Sequence, residues 1–265
     1  MVRRSLSPMP FHQRILFSAV GLFLLLAGYA IWPSAEPIDI KTASGAALEQ
    51  EARKRLADGN EAAAAPLVDA ALKRYAAQRD RSSVLKALEL NAALAKQSGN
   101  PGKAENILER GVQLAEASRD VGLRGLALRY QARYFIEQKA WNKVGVSYRG
   151  AYADLLSSNN AHEAGLLALE LADGLVESGA LTPSTRQIAA GAYEQAQTAF
   201  RIAGSDFHRA IVFERTGDLL REANPAYAQE QYFQAIQLFR QLRRDTLVTK
   251  VQEKSASMPL QLDRR

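Results

Sequence analysis

Residues 87–118 read ALELNAALAKQSGNPGKAENILERGVQLAEAS, and this stretch decides the fold. Its apolar side chains recur three and four residues apart, which places them on one face of a helix. Gly99, Asn100 and Pro101 lie between the two periodic runs, and such residues mark turns and helix ends. The stretch therefore predicts a helix, a turn and a second helix.

The same pattern returns about every forty residues along the chain. Residues 47–49 and 87–89 both read Ala-Leu-Glu, and the glycine–asparagine pair at 59–60 corresponds to the pair at 99–100. Residues 127–128 repeat Ala-Leu, a fourth copy begins with ALEL at 168–171, and a fifth begins near Ala210. The chain therefore predicts about five two-helix units.

The second helix of each unit carries a small residue, a large apolar residue four positions on, and a small residue three further. Spacings of three and four place all three side chains on one face. The small members let a neighbouring helix approach, and the large member fills the space between helices. In chain order the sets are Ala64/Val68/Ala71, Ala104/Leu108/Gly111, Val144/Tyr148/Ala151, Ala189/Tyr193/Ala196 and Ala228/Tyr232/Ala235.

These units resemble the tetratricopeptide repeat (TPR), a helical hairpin with small residues at positions eight, twenty and twenty-seven and an aromatic residue at twenty-four. The last unit carries this pattern as Gly217, Ala228, Tyr232 and Ala235. The eighth position of the first three units is occupied by Ala52, Ala92 and Ala132. Over roughly residues 44–243, the resemblance implies an all-α fold, a right-handed α-solenoid of about five TPR-like helical hairpins with a capping helix after them.

Three features differ from the TPR pattern. The period is about forty residues rather than 34, no unit has the consensus tryptophan, and unit four has about five extra residues around 180–183. Longer helices or longer turns would absorb the difference. A helical-hairpin array of the HEAT kind, which has a similar period, is the alternative architecture.

An uncharged apolar run, ILFSAVGLFLLLAGYAIW, occupies residues 15–32. As a helix it would span about 27 Å, close to the thickness of a bilayer's hydrocarbon core. Arginines precede the run and acids follow it, which by the positive-inside rule places the N-terminus in the cytoplasm and the repeats on the other side. We therefore predict a transmembrane signal anchor, in a bacterial inner membrane or alternatively a mitochondrial inner membrane.

Two other interpretations of the N-terminus stay open. Gly28, Tyr29 and Ala30 offer a small-x-small site, so the run could be a cleaved signal peptide that also exports the repeats. The absence of acids from residues 1–35 also fits a mitochondrial presequence.

The predicted organisation has five parts along the chain. They are a basic cytoplasmic tail at 1–14, the anchor at 15–32, a linker at 33–44, the solenoid at 45–254 and a disordered tail at 255–265. Within unit one, the second helix is predicted from about Glu61 to Gln78. Pro66 fits it only if the helix effectively begins near Ala63, because proline is tolerated in the first turn of a helix.

Charge and composition narrow the function. The net charge of +6 comes from the two ends of the chain, with +3 in residues 1–35 and +4 in residues 240–265, which leaves about −1 between them and argues against nucleic-acid binding. The chain has no cysteine, and His12, His162 and His208 have no second ligand at a metal-binding spacing. We interpret the histidines as solvated or helix-end residues and predict no cofactor, no metal site and no enzyme activity.

The first helices supply the candidate binding residues, because in TPR arrays the first helix of each hairpin lines a concave groove. By resemblance, the partner groove includes Lys86, Glu89, Lys96, Arg129, Tyr130, Arg133, Glu170, Asp173, Glu214 and Asp218. The groove would be basic in the middle and acidic toward the C-terminal end. Such polarity would orient an extended peptide or a partner helix.

These observations predict a membrane-anchored interaction scaffold on the non-cytoplasmic side, which holds a protein partner in envelope assembly, secretion or a membrane complex. The alternative is an accessory structural subunit of a larger membrane complex, in which the transmembrane helix itself packs against other helices.

Overall fold

The computed structural model describes residues 38–179 and 181–258. This part of the chain contains eleven α-helices and no strand. None of its helices is long and apolar enough to cross a membrane. The predicted tail at 1–14 and anchor at 15–32 lie outside the described residues. The chain divides into two compact units, Met1–Ala43 and Ser44–Arg265.

The helices all belong to the second unit and follow one another with short turns. They are α1 (Gly45–Ala57), α2 (Glu61–Ala77), α3 (Arg81–Gln97), α4 (Pro101–Ser118), α5 (Val121–Glu137), α6 (Trp141–Ser157), α7 (Ala161–Glu177), α8 (Pro183–Ile202), α9 (Asp206–Leu220), α10 (Pro225–Gln241) and α11 (Asp245–Ala256).

The turns between these helices repeat the same backbone geometry every twenty residues. A residue with positive φ follows each helix from α1 to α7, namely Gly59, Arg79, Gly99, Arg119, Lys139, Asn159 and Gly179. The next residue often caps the following helix: the side chains of Asn60, Asp80, Asn100 and Asp120 each accept a hydrogen bond from a backbone N–H three residues on. The forty-residue period is therefore two helices of about 17 residues, each with its turn.

The helices pack in successive antiparallel-type pairs, α1 with α2 through α9 with α10, and each pair also contacts the next. The first helices of neighbouring pairs contact one another, from α1 to α3 and on to α9, and form a continuous layer. The capping helix α11 packs on α10. The prediction of an all-α array of repeated helix pairs is therefore confirmed.

The side chains of the small–large–small signature on the second helices are buried in the core, as predicted. All five large members are buried, and Tyr193 and Tyr232 are among the largest fully buried side chains. The small members are buried as well. Burial of these side chains is the main driving force for stacking one pair on the next.

Several first-helix glycines pack against large side chains of the paired second helix. A Cβ atom on Gly45, Gly165 or Gly217 would lie 2.7–2.8 Å from a ring carbon of Tyr75, Phe200 or Tyr232 respectively. The absence of a side chain at these positions lets each ring lie directly on the neighbouring helix. The sequence analysis did not single out Gly45 or Gly165.

Two helices, α2 in unit one and α8 in unit four, depart from the regular pattern. The predicted range of α2 is confirmed, but the effective start near Ala63 is wrong: α2 begins at Glu61, where Asn60 caps it, and Pro66 lies inside the helix. Proline at that position removes one intrahelical hydrogen bond, a cost that packing of the buried neighbours Leu67 and Val68 offsets. In unit four the extra residues lengthen both the turn before α8 and α8 itself, which has 20 residues.

Candidate functional site

The layer formed by α1, α3, α5, α7 and α9, whose outer side is here called the first-helix face, contains all ten predicted groove residues, of which Arg129, Tyr130 and Glu214 are buried. Two pockets lie on it. The first, of about 350 Å³, is lined by side chains of α1, α3, α4 and α5 and includes Glu89, Lys96, Tyr130 and Arg133. The second, of about 300 Å³, lies between α7, α8 and α9 and includes Asp173 and Asp218.

The other four predicted residues line neither of these two pockets. Arg129 is buried and pairs with Glu170 at 3.1 Å and with Glu163 at 3.1 Å. Glu214 is buried beside Lys254, and Lys86 is exposed on α3. The structure therefore gathers six of the ten residues into two separate pockets rather than one continuous groove.

Ion pairs join each first helix to the next one along the array, and we call this set the ion-pair ladder. Glu89 on α3 forms an ion pair with Arg53 on α1 at 3.6 Å and with Arg133 on α5 at 3.2 Å. Lys96 and Glu137 form a second link between α3 and α5 at 2.8 Å. The links farther along are Arg129–Glu170, Arg215–Asp173 and Lys254 with both Glu214 and Asp218.

This pairing changes the predicted polarity of the face. The middle bases Arg129 and Arg133 and the C-terminal acids Glu214 and Asp218 each have a partner within the array. Their charges are therefore compensated locally, and an approaching ligand meets a weaker field than the sequence alone indicates.

Three residues of the ion-pair ladder, Glu170, Asp173 and Lys254, have pKa values raised above their ordinary values. Burial raises the pKa of the Glu170 carboxyl, although Arg129 and Arg133 act in the opposite direction. It also raises the pKa of Asp173. Burial alone would lower the pKa of Lys254, but its hydrogen bonds to Asp218 and Glu214 outweigh that effect and raise it.

The Arg129–Glu170 pair is incompletely satisfied. Nε of Arg129 and Oε2 of Glu170 are buried and have no hydrogen-bond partner within the described part of the chain. A buried polar atom without a partner costs free energy, so this pair contributes less to stability than a fully bonded one.

Second-helix tyrosines fix three of the first-helix acids. Tyr193 donates to Asp173 at 2.7 Å, and Tyr232 donates to Asp218 at 2.8 Å. Tyr75 donates in the same way to Glu49 at 2.9 Å. Burial and the adjacent carboxylate raise the pKa of each tyrosine, for Tyr75 to about 12, so the hydroxyl stays protonated and remains a donor.

The opposite surface holds a larger groove that the sequence analysis missed. It lies between the second helices α6 and α8, has a volume of about 800 Å³, and has Leu171 and Leu175 of α7 in its lining. We call it the α6–α8 groove.

Two histidines also meet in the structure. The rings of His162, at the start of α7, and His208, at the start of α9, lie 4.8 Å apart, and His208 stacks on Phe200 at 4.8 Å. Ser205 Oγ lies 2.8 Å from Nδ1 of His208. The helix-end interpretation holds for both residues, but they are half-buried rather than solvated.

The described residues contain no group of three or more histidine, aspartate or glutamate side chains placed to hold a metal ion. No protein-family model and no curated protein matches the chain. The fold and its surfaces define an all-α helical-repeat protein, in which successive helix pairs pack against one another.

Proposed function

We propose that this chain is a membrane-anchored, TPR-like scaffold: a right-handed α-solenoid that binds a protein partner on the non-cytoplasmic side of the membrane. Residues 15–32 hold it in the bilayer, with residues 1–14 in the cytoplasm. It performs no chemistry of its own and needs no cofactor.

One observation carries the proposal. The first helices form a continuous layer, α1 through α9, and two pockets with charged residues in their lining open on it. A stack of helix pairs gives an extended surface on which a peptide or helix can lie across several units. The spacing of small and large apolar residues in each pair, with a tyrosine as the large member in units three to five, supports the TPR assignment over the HEAT alternative.

The test places a photo-crosslinking amino acid at Ala93, which lines the first pocket, in the full-length chain in its native membrane. The matched control carries the same group at Glu109, which is exposed on α4 of the opposite layer. We expect a discrete protein adduct from Ala93, reduced by the double substitution Lys96→Glu and Arg133→Glu, and no such adduct from Glu109.

Protease added to sealed vesicles tests the membrane part. The array should be cleaved only from the non-cytoplasmic side, and the full-length chain should resist alkaline extraction. Replacement of residues 1–35 by an unrelated anchor should preserve the Ala93 adduct. Loss of the adduct in that exchange would favour the structural-subunit alternative, and absence of any adduct with the natural anchor would contradict the scaffold.

A further inference from the structure

The α6–α8 groove is walled by two regular helical stripes. Trp141, Val144, Gly145, Tyr148, Arg149 and Tyr152 line it from α6. Ile188, Gly191, Ala192, Glu194, Gln195 and Thr198 line it from α8. Spacings of three and four residues along each wall mean that each helix turns one continuous face toward the groove. The α6 stripe runs from Trp141 to Tyr152, which is about 16 Å or three helical turns.

Two hydrogen bonds connect the walls of the groove. Tyr152 donates to the backbone oxygen of Gln195 at 3.0 Å, and Tyr148 donates to the side-chain oxygen of the same residue. These bonds set the spacing of α6 and α8, whose backbones do not pack closely on each other. Gly145 and Gly191 stand on opposite walls, and a Cβ on either would meet no atom within 4 Å. The groove is therefore open at these two positions.

Several second helices expose a large apolar side chain, among which Ile188 lines the groove and Val146 and Phe233 lie outside its lining. Val146 on α6 is 74 % exposed and Ile188 on α8 is 52 % exposed. Phe233 on α10 is 55 % exposed. Large apolar side chains left in water on a regular surface are typical of protein-binding sites.

The charges of the groove differ from those of the first-helix face because they are unpaired. Arg149 is exposed on the α6 wall, and Glu194 is exposed on the α8 wall. Among the residues that the structure describes, neither takes part in an ion pair or a side-chain hydrogen bond, whereas the ladder residues are paired. A ligand with an acid on one side and a base on the other would complement both walls.

We propose that the α6–α8 groove binds one amphipathic α-helix of a partner protein, with an acidic flank facing Arg149, a basic flank facing Glu194 and a stripe of small and aliphatic residues between them. The inference rests on the proposed scaffold function, since it assigns the chemistry of a partner. It assigns a second binding surface, on the second helices, in addition to the one proposed for the first-helix pockets.

The experiment uses three synthetic helical peptides with the same alanine–leucine stripe and different flanks. One has glutamates on one flank and lysines on the other, one has glutamates on both, and one has lysines on both. Binding to the full-length chain is measured by fluorescence anisotropy. We expect the mixed peptide to bind about three- to fivefold more tightly than either of the others.

Substitutions in the walls should change this preference in a defined direction. Arg149→Glu makes both walls acidic, so the peptide with lysines on both flanks should become the tightest binder. Gly191→Leu adds a bulky side chain to the groove at a position where the new Cβ meets no atom within 4 Å, and it should weaken binding of all three peptides about tenfold or more. Gly102→Leu, also in open space but on α4, is the matched control and should leave binding unchanged. Circular dichroism checks that each variant keeps its helix content.

Equal affinity of the three peptides, or binding that survives Gly191→Leu, would overturn the proposal. The scaffold function is tested separately by the adduct at Ala93. An adduct there together with no peptide selectivity here would leave the scaffold standing and remove only the helix-binding groove.

Discussion

Most helices of this array are followed by a single residue in the left-handed backbone conformation. Glycine adopts positive φ at no steric cost, and the chain uses it at Gly59, Gly99, Gly179 and Gly204. At Arg119 and Lys139 the same geometry is imposed on residues with a Cβ. There the strain is offset by the stacking of the helices on either side, which requires the turn.

The substitution Gly99→Ala should lower the free energy of unfolding by about 1 kcal/mol, because φ is +76° and alanine is strained there. No atom lies within 4 Å of the added Cβ, so backbone geometry is the sole cause. Gly102→Ala, three residues on in the first turn of α4 and also in open space, should be neutral or slightly stabilising. Urea unfolding of both variants measures this, and equal effects would contradict the backbone explanation.

His208 should make stability depend on pH. Burial lowers its pKa, and the adjacent His162 lowers it further, so the native value lies below the unfolded value of about 6.5. As the pH falls below about 6.5, the unfolded chain takes up the proton first and the folded state loses stability. Above that pH the contribution is complete.

Histidine NMR titration and unfolding at pH 7.5 and 5 test this expectation. His208→Gln should flatten the pH dependence of the unfolding free energy, and His162→Gln should raise the pKa of His208 toward its ordinary value. A pKa of His208 at or above 6.5 in the folded chain would show that the sign is wrong.

Pairs of helices fit together through complementary volumes, as α7 and α8 illustrate. The ring of Phe200 on α8 is fully buried against the backbone at Gly165 of α7. The same arrangement joins α1 to α2 and α9 to α10. A first helix can therefore stand close to its partner only where its own side chain is absent.

Gly165→Ala should lower the free energy of unfolding by about 1–3 kcal/mol through overpacking, since its Cβ would lie 2.7 Å from two carbons of the Phe200 ring. Phe200→Leu in the same chain should recover part of the loss, because the smaller side chain leaves room. Gly191→Ala, inside α8 and in open space, should instead stabilise by up to about 1 kcal/mol. Thermal and urea unfolding of the three variants distinguish a packing effect from a helix-propensity effect.

In the array as a whole, the first-helix layer is joined by charges and the opposite layer exposes apolar side chains. Each first helix is linked by an ion pair to the next, and α11 joins the same series through Lys254. The α6–α8 groove on the other side remains open. The stability of the first-helix layer should therefore depend on ionic strength, whereas the opposite layer should bind apolar ligands.

Salt should weaken the ion-pair ladder. Each exposed pair contributes roughly 0.2–1 kcal/mol at low salt, and at 1 M salt the screening length falls to about 3 Å. We expect the melting temperature of the chain to fall as NaCl is raised to about 1 M. The double variant Glu89→Gln and Glu137→Gln should start lower and show a smaller salt dependence. Glu109→Gln on α4 is the control, and an unchanged slope in the double variant would exclude a stabilising ladder.

Much of the architecture follows from local patterns. Helix periodicity, the turn residues near positions 59–60 and 99–100, and the small–large–small signature determine eleven helices, their pairing and their buried faces, because each depends on spacings of three and four residues or on one dihedral angle. The start of α2 was misplaced because Pro66 forbids a helix interior only when nothing else stabilises that helix.

The surfaces depend on contacts between residues about forty positions apart. The sequence determined that Glu89 and Arg133 lie on first helices and that Lys254 lies on the capping helix. Their pairing across helices, the meeting of His162 with His208 and the opening between α6 and α8 were decided by the packing of whole helix pairs. The physical reason is distance: helical spacing fixes which side of a helix a residue occupies, whereas the angle and separation of neighbouring helices fix which charges meet and where a groove remains open.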